Sequence, residues 1–235
     1  MKLPQIKHPT FAIVIPSSKK EVRYRPFLVK EEKILLFAQQ SSESKDIINA
    51  IKQIISNCIV TEGVDVESFT TYDIEYFFLQ LRAKSVNDEV KLTYIDNEDQ
   101  KQYSFEVNLN DIQVIYPEGH DSRIEISDTA SITLKEPVFS VLEAMKATTE
   151  SELAFEAVAK CIEKIESEGE TYNVTDFSEE EVMEFVQSLD VMTFQKIQQF
   201  FDTMPRLEYV IMYKNSMDHD RKIVLNSLND FFTLG

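Results

Sequence analysis

Apolar residues recur along this chain with two different periods, and the switches between them outline its elements. Phe11, Ile13 and Ile15 sit two apart ahead of Pro16, and Val22 and Tyr24 alternate with Arg23 and Arg25. A period of two on both sides of the polar residues 17–20 predicts a half-buried hairpin, which Pro26 ends because it has no N–H to give a ladder. A helix is expected over 29–40, with Glu31 and Glu32 in the first turn, where carboxylates meet the positive end of the dipole. Its apolar positions are Ile34, Leu35 and Ala38. Ile47, Ile51, Ile54, Ile55 and Cys58 then recur at helical spacing over 46–59. Residues 61–70 read as a loop. Thr71 or Asp73 caps a third helix to about residue 83, with Ile74, Phe77, Phe78 and Leu81 at i, i+3, i+4 and i+7.

The period returns to two over residues 88–134. Segments 91–95 and 103–107 flank a polar run and predict a hairpin; 113–116, 123–126 and 131–134 are further strands of one small antiparallel sheet. Helical spacing resumes over 138–166 through Val141, Leu142, Met145, Leu153, Phe155, Val158, Ala159 and Ile162, and Gly169 ends the stretch. Ser178 with Glu181 forms a capping-box pattern before Val182, Phe185, Val186 and Leu189. A further helix over 193–204 stops at Pro205. Segments 207–213 and 222–225 bracket another turn, and 227–232 reads as a short closing helix. The pattern predicts an α+β fold: helical blocks flanking a small antiparallel β-sheet, with terminal β-hairpins. It suggests three segments: 1–87, N-terminal hairpin plus helices; 88–136, antiparallel β insertion; and 137–235, C-terminal helical block with a hairpin.

Composition narrows the function classes. The 235 residues carry 41 Asp+Glu against 24 Lys+Arg, a net charge of −17, and 43% are hydrophobic. That is enough apolar content for a packed core. Nucleic acid is disfavoured, since phosphate neutralisation needs clustered cations. The charge is uneven: residues 1–36 hold 8 basic and 3 acidic side chains, whereas 137–206 hold 5 basic and 15 acidic. A basic arm on an acidic body folds back on that body or docks to an acidic partner. The four isolated glycines exclude a phosphate cradle, which needs close backbone approach.

Cys58 and Cys161 lie in apolar helical contexts and read as buried free thiols, which fits a reducing compartment. The N-terminus has no apolar stretch of secretion type, and the longest apolar runs are far short of the ~20 residues that span a bilayer. These features predict no membrane partner and a cytoplasmic site of synthesis. His8, His120 and His219 have no metal-ligand spacing. The acidic runs 96–99 and 218–220 read as solvated hairpin turns rather than ion sites: the first lacks the central Gly and terminal Glu of a calcium loop. No nucleophile signature is present, and no catalytic, cofactor or metal residue is assigned. With 41 acids, a pair arranged for hydrolysis stays open as an alternative, because geometry identifies such a pair and counting does not. The aromatic set Tyr72, Tyr76, Phe77 and Phe78 is wider than one helix face. It suggests burial on two sides, one of them against a partner.

Two stretches resemble a known family. Tyr24-Arg25-Pro26-Phe27-Leu28-Val29-Lys30-Glu31-Glu32-Lys33-Ile34-Leu35-Leu36 resembles a block near the N-terminus of the T-even-type bacteriophage baseplate hub family. Asp73-Ile74-Glu75-Tyr76-Phe77-Phe78-Leu79-Gln80-Leu81-Arg82-Ala83-Lys84-Ser85 resembles that family's second block, and Leu3-Pro4 with Pro9-Thr10 its start. The resemblance implies a non-enzymatic structural or assembly protein of a contractile-tail hub, without cofactor. Its partners are then other hub or tail proteins, the tape-measure protein among the candidates, met in the host cytoplasm or in the virion. A tail-assembly chaperone absent from the finished particle is the alternative within the same class. Self-association and copy number stay open. The blocks supply the partner-interface candidates Tyr24, Arg25, Phe27, Lys30, Glu31, Asp73, Glu75, Tyr76, Phe77, Phe78 and Arg82. Within the fold, Arg25 and Lys30 are expected to pair with Asp73 and Glu75.

Overall fold

The computed structural model describes residues 6–41, 44–143, 145, 149–226, 228 and 230. In chain order the elements are Phe11–Val14 (β1), Glu21–Tyr24 (β2), Val29–Ser41 (α1), Ser44–Cys58 (α2), Thr71–Ser85 (α3), Glu89–Ile95 (β3), Gln102–Asn108 (β4) and Gln113–Ile115 (β5). Then come Arg123–Ser127 (β6), Ala130–Leu134 (β7), Phe139–Glu143 (α4), Glu150–Cys161 (α5), Ile162–Ser167 (β8), Glu170–Asn173 (β9), Glu179–Ser188 (α6), Val191–Asp202 (α7), Arg206–Lys214 (β10) and Asp220–Leu225 (β11). The fold is α+β. It divides into two compact units: Met1–Ile115 with Arg206–Gly235, and Tyr116–Pro205.

In the first unit β1 and β2 pair antiparallel with Ile13 opposite Val22 and Phe11 opposite Tyr24. The alternation sets this register: Ile13, Ile15, Val22 and Tyr24 are buried, while Val14 and Arg23 face out. Helix α2 buries Ala50, Ile51, Ile54, Ile55 and Cys58 on one side. Removing each larger side chain of that stripe from water contributes about 1.5–3 kcal/mol. The chain leaving α2 lies beside β2, where the Val60 N–H donates to the Arg23 carbonyl at 2.8 Å.

Helix α3 starts one residue earlier than its spacing predicts. Its N-cap is Thr70, whose hydroxyl accepts the Asp73 N–H while the Asp73 carboxylate accepts the Thr70 N–H. Asp73 thus sits at the third helical position of a capping box rather than at the cap itself. The helix is buried on two sides, as its aromatic width suggests, and this chain's own residues occupy both. Phe77 meets the rings of Tyr24 (5.2 Å between centroids) and Phe69 (6.4 Å). Leu79 enters a second cluster with Val90, Leu92, Val107, Leu109, Ile112, Leu207 and Leu225.

That second cluster explains a departure from the expected single β insertion. Strands β3 and β4 form their own hairpin, with Leu92 opposite Phe105. Strand β5 turns away from them to pair with β10, with Val114 opposite Leu207, giving the order β11-β10-β5. The C-terminal hairpin β10–β11 therefore belongs to the first unit and not with the helices before it. Alternation identifies a strand's buried face but not its neighbour, so this long-range pairing left no local trace.

The second unit is a four-stranded antiparallel sheet, order β6-β7-β8-β9, with helices around a core of Ile124, Ile132, Leu134, Val158, Ile162, Val182, Val186, Ile197 and Phe200. Its clearest departure from the sequence pattern is β8. Helical spacing carries through Val158, Ala159 and Ile162, but the helix stops at Cys161 and residues 162–167 are extended. Ile162 satisfies both periods, which hid the switch. Glu168 and Gly169, with φ of 53° and 86°, make the left-handed turn into β9. Ser178 and Glu181 form the expected capping box of α6, and Asp190 caps α7, which begins at Val191, two residues ahead of its predicted start. The expected closing helix at 227–232 lies outside the described residues save for 228 and 230.

Truncating Phe77, which has no exposed surface, should cost about 3–5 kcal/mol by lost transfer energy plus a cavity. Chemical denaturation of Phe77→Ala checks this against Val191→Ala, an exposed control expected to change stability by less than about 0.5 kcal/mol. Equal losses would contradict the two-sided burial of α3.

Candidate functional site

The first of the two sequence blocks runs from the end of β2 into α1, and Arg25 organises it. Pro26 restricts the backbone of the residue before it to extended conformations, so Arg25 continues the strand direction while its side chain turns toward α1. Its guanidinium donates to Glu31 Oε1 (2.9 Å) and Oε2 (3.4 Å), to the Pro26 carbonyl (2.9 Å) and to the Asn57 carbonyl (2.9 Å). Glu31 is fully buried and also accepts the Leu28 N–H at 2.8 Å, capping the first turn of α1. Lys30 lies 3.3 Å from the same carboxylate with most of its side chain in solvent. Burial alone favours the neutral acid at Glu31. The Arg25 hydrogen bond, the Leu28 N–H and the charges beside it outweigh that, so its pKa lies below the usual carboxylate value. Arg25 is correspondingly held more firmly protonated, chiefly by the Glu31 hydrogen bond. Beside them the Cys58 thiol is pushed up to about 11 by burial. Both cysteines are buried and free.

The second block is helix α3. Asp73 is fully buried and accepts the Ser17 N–H (2.9 Å) and the Ser17 hydroxyl as well as the Thr70 N–H (3.1 Å). It fastens the β1–β2 turn to the helix start. The expected pairing of Arg25 and Lys30 with Asp73 and Glu75 is not what forms: both turn to Glu31 in their own block, six residues from Arg25 and next to Lys30. The physical reason is proximity and capping. Glu31 is at the third position of α1, where its carboxylate already faces Leu28, and Asp73 is consumed by its own cap. The blocks are joined otherwise, by the Phe27 N–H donating to Ser85 Oγ at 2.9 Å and by the Tyr24–Phe77 ring contact.

Among the candidate residues, Tyr24, Glu31, Asp73, Phe77 and Phe78 are enclosed by their own chain. Lys30 is exposed, and Phe27, Glu75, Tyr76 and Arg82 are partly exposed. The Glu75 carboxyl is raised to about 7, first by burial and then by Asp230, against a lowering hydrogen bond from the Leu228 backbone. Burial lowers the pKa of the Arg82 guanidinium.

A second polar cluster escaped sequence reasoning. The acidic runs at 96–99 and 218–220 are hairpin turns, as read, but the β3–β4 and β10–β11 turns are fastened together. Asp96, fully buried, accepts from the Tyr213 hydroxyl and from Arg221 Nε at 3.0 Å. Glu98 takes Asn215 Nδ2 (2.6 Å), His219 Nδ1 (2.8 Å) and Arg221 Nη1 (3.3 Å). Asp99 accepts the Ser216 N–H and hydroxyl (2.9 and 2.8 Å) and the Tyr103 hydroxyl (2.6 Å). The Asp96 carboxyl is lowered, chiefly by the Tyr213 hydrogen bond, and Tyr213 is pushed up to about 12 by burial and by Asp96. The partners across the two hairpins lie more than a hundred residues apart, so no spacing rule finds them; the one available signal was the pairing of an acidic turn with a turn carrying His219 and Arg221. Chemically, these donors and acceptors are occupied in holding two hairpins, and the Arg25–Glu31 node in holding β2 to α1.

A family model described as "T4 bacteriophage base plate protein" matches residues 8–233, nearly the whole chain. Neither a curated protein nor a solved structure matches.

Removing one partner of a buried ion pair leaves the other charge uncompensated, so Glu31→Ala should cost about 3–5 kcal/mol at neutral pH. The acid limb has a definite sign. A carboxylate with a lowered folded-state pKa stabilises fully above its usual value of 4.5 and loses that contribution as the pH falls below it. The stability gap between wild type and Glu31→Gln in urea unfolding should therefore narrow from pH 7 into the acid range. A gap independent of pH would contradict the assignment.

Proposed function

Because the chain belongs to the T4 bacteriophage base plate protein family, and is thus a phage baseplate protein, we propose that it helps build the central hub of the contractile tail by protein–protein contact, without catalysis. The observation that carries this reading is how the two hub-like blocks use their residues. Arg25 and Glu31 are spent on each other inside the fold and Asp73 on Ser17 and Thr70, while α1 keeps apolar side chains at the surface. Helix α1 leaves Val29, Leu36 and Phe37 exposed beside Lys30 and Lys33. An apolar helix face bordered by charges of both signs, Glu32 as well as Lys30 and Lys33, is suited to a polypeptide partner. Phe27, Lys30, Glu75, Tyr76 and Arg82 are our candidates for the rest of the contact, since each keeps some accessible surface. The partners are other hub or tail proteins, the tape-measure protein among them, encountered in the host cytoplasm during assembly. No helix among the described residues is long and apolar enough to cross a membrane.

The reading predicts that infected cells lacking this chain accumulate tail components without completed baseplates, and that a tagged copy recovers hub or tail proteins. Mass spectrometry of purified particles then separates a subunit, present in fixed proportion, from an assembly factor that leaves. Normal baseplate yield without the chain would overturn the proposal, as would turnover of a tail or cell-wall polymer by the purified protein.

A further inference from the structure

The second unit holds a groove of about 900 Å³ that contains no residue of the two sequence blocks. Helix α5 lines it with Glu152, Phe155, Glu156, Ala159 and Lys160, and α6 with Glu179, Val182, Met183 and Gln187. Within each set the residues stand three, four and eight apart, so each helix turns one stripe toward the groove. Each stripe rises ~12 Å along its helix, a little over two turns. The floor is apolar and belongs to the core of the unit. Ala159, Ile162 and Val182 are core residues that also line the groove, and Phe155 stacks on Phe194 with 4.9 Å between centroids. Met183 is half-buried, and Phe177 stands at the edge 42% exposed.

The border of this floor is acidic. Four glutamates line the groove, Glu152, Glu156, Glu163 and Glu179, against Lys135 and Lys160. Lys160 and Glu179 neutralise each other at 3.3 Å, which leaves three glutamates against Lys135. Just outside the lining, α6 carries exposed Glu180, Glu181 and Glu184 and no Lys or Arg. Residues 116–205 as a whole hold 20 Asp and Glu against 6 Lys and Arg, which accounts for most of the chain's negative charge. The groove therefore sits in a negative field that no cluster of cations within its own unit offsets. An elongated apolar floor between two helices takes the apolar stripe of a third helix, and a negative border admits a stripe flanked by cations and repels one flanked by acids.

We infer that the α5–α6 groove is a docking site for an amphipathic helix of a partner protein, about two to three turns long, whose apolar stripe is flanked by Lys or Arg. Its apolar side chains, at i, i+3 or i+4, and i+7, lie over Phe155, Ala159 and Met183, and Phe177 closes the end. Its cations meet Glu152, Glu156 and Glu163. The inference goes beyond the hub reading and does not rest on it: a chain that infected cells can do without overturns that reading alone.

Fluorescence anisotropy with the purified full-length chain and labelled synthetic peptides tests it. The probe is a peptide of about 14 residues, long enough to exceed the groove at both ends, with leucine at the stripe positions and lysine beside them. It should bind with an affinity that falls as salt rises, since the border charges are screened. A peptide with glutamate in place of lysine should bind at least about ten-fold more weakly. So should a peptide of the original composition with its leucines scattered, which separates docking from the general attraction of a cation to an acidic protein. Met183→Glu should weaken binding at least about ten-fold and Glu156→Lys about two- to five-fold. Glu21→Lys, an exposed change in β2 of the first unit, should leave it unchanged. Thermal midpoints identify a variant that fails to fold, and Glu156→Lys, at the border, keeps the test open if Met183→Glu does. No binding at about 100 μM chain, equal binding of the glutamate or scattered peptide, or binding indifferent to both groove variants would each overturn the inference. Self-association of the chain that Met183→Glu abolishes would place a second copy in the groove and would overturn it as well.

Discussion

Helix α3 is the element on which the first unit depends. A helix with one apolar stripe needs one partner; α3 has apolar residues around most of its circumference and needs two. Phe77 takes the side of the β1–β2 hairpin, and Leu79 takes the side of β3–β4 and β10. Neither cluster closes without it. The charged residues around α3 follow from this demand. Asp73 binds the β1–β2 turn to the helix start, Ser85 binds the first block to its end, and Arg25 with Glu31 holds α1 where the hairpin delivers it. Such polar groups are stable inside because each has its donors and acceptors in place.

How much of this the sequence disclosed depended on the range of the interaction. Periodicity is local, and it identified the hairpins β1–β2, β3–β4 and β10–β11, the five-residue stripe of α2 and the capping box of α6. It also indicated, through the width of the aromatic set on α3, that this helix is buried twice. What it assigned wrongly was the identity of the second neighbour: the sheet containing Leu207 and Leu225, over a hundred residues downstream, fills the side that a partner protein was expected to fill. The same limit applies to Asp96, Glu98 and Asp99. As a run they are an ordinary polar turn; their role follows from Tyr213, Asn215 and Arg221, which no spacing places beside them. Strand β8 was misread for a different reason, since Ile162 fits the end of one period and the start of the other.

The candidate site was legible as a location more than as a role. The two blocks that resemble hub proteins do meet, at Phe27–Ser85 and Tyr24–Phe77. Their most distinctive residues are architecture, however, and surfaces for contact lie beside them rather than within them. Net charge gives the broader layout: a first unit with nearly balanced charge and a strongly acidic second unit. A protein whose buried positions are fixed by internal partners, and whose exposed helix face and groove are apolar, is built to be held by neighbours while keeping its own shape.

The central claim is that the α3 block is complete in the isolated chain and that assembly covers other surfaces. Hydrogen–deuterium exchange of the free chain and of the chain within the assembled baseplate complex tests it most directly. The account predicts slow exchange of α3 amides in both states, with new protection confined to exposed faces such as that of α1. Fast exchange along α3 in the free chain, slowed only on assembly, would contradict it.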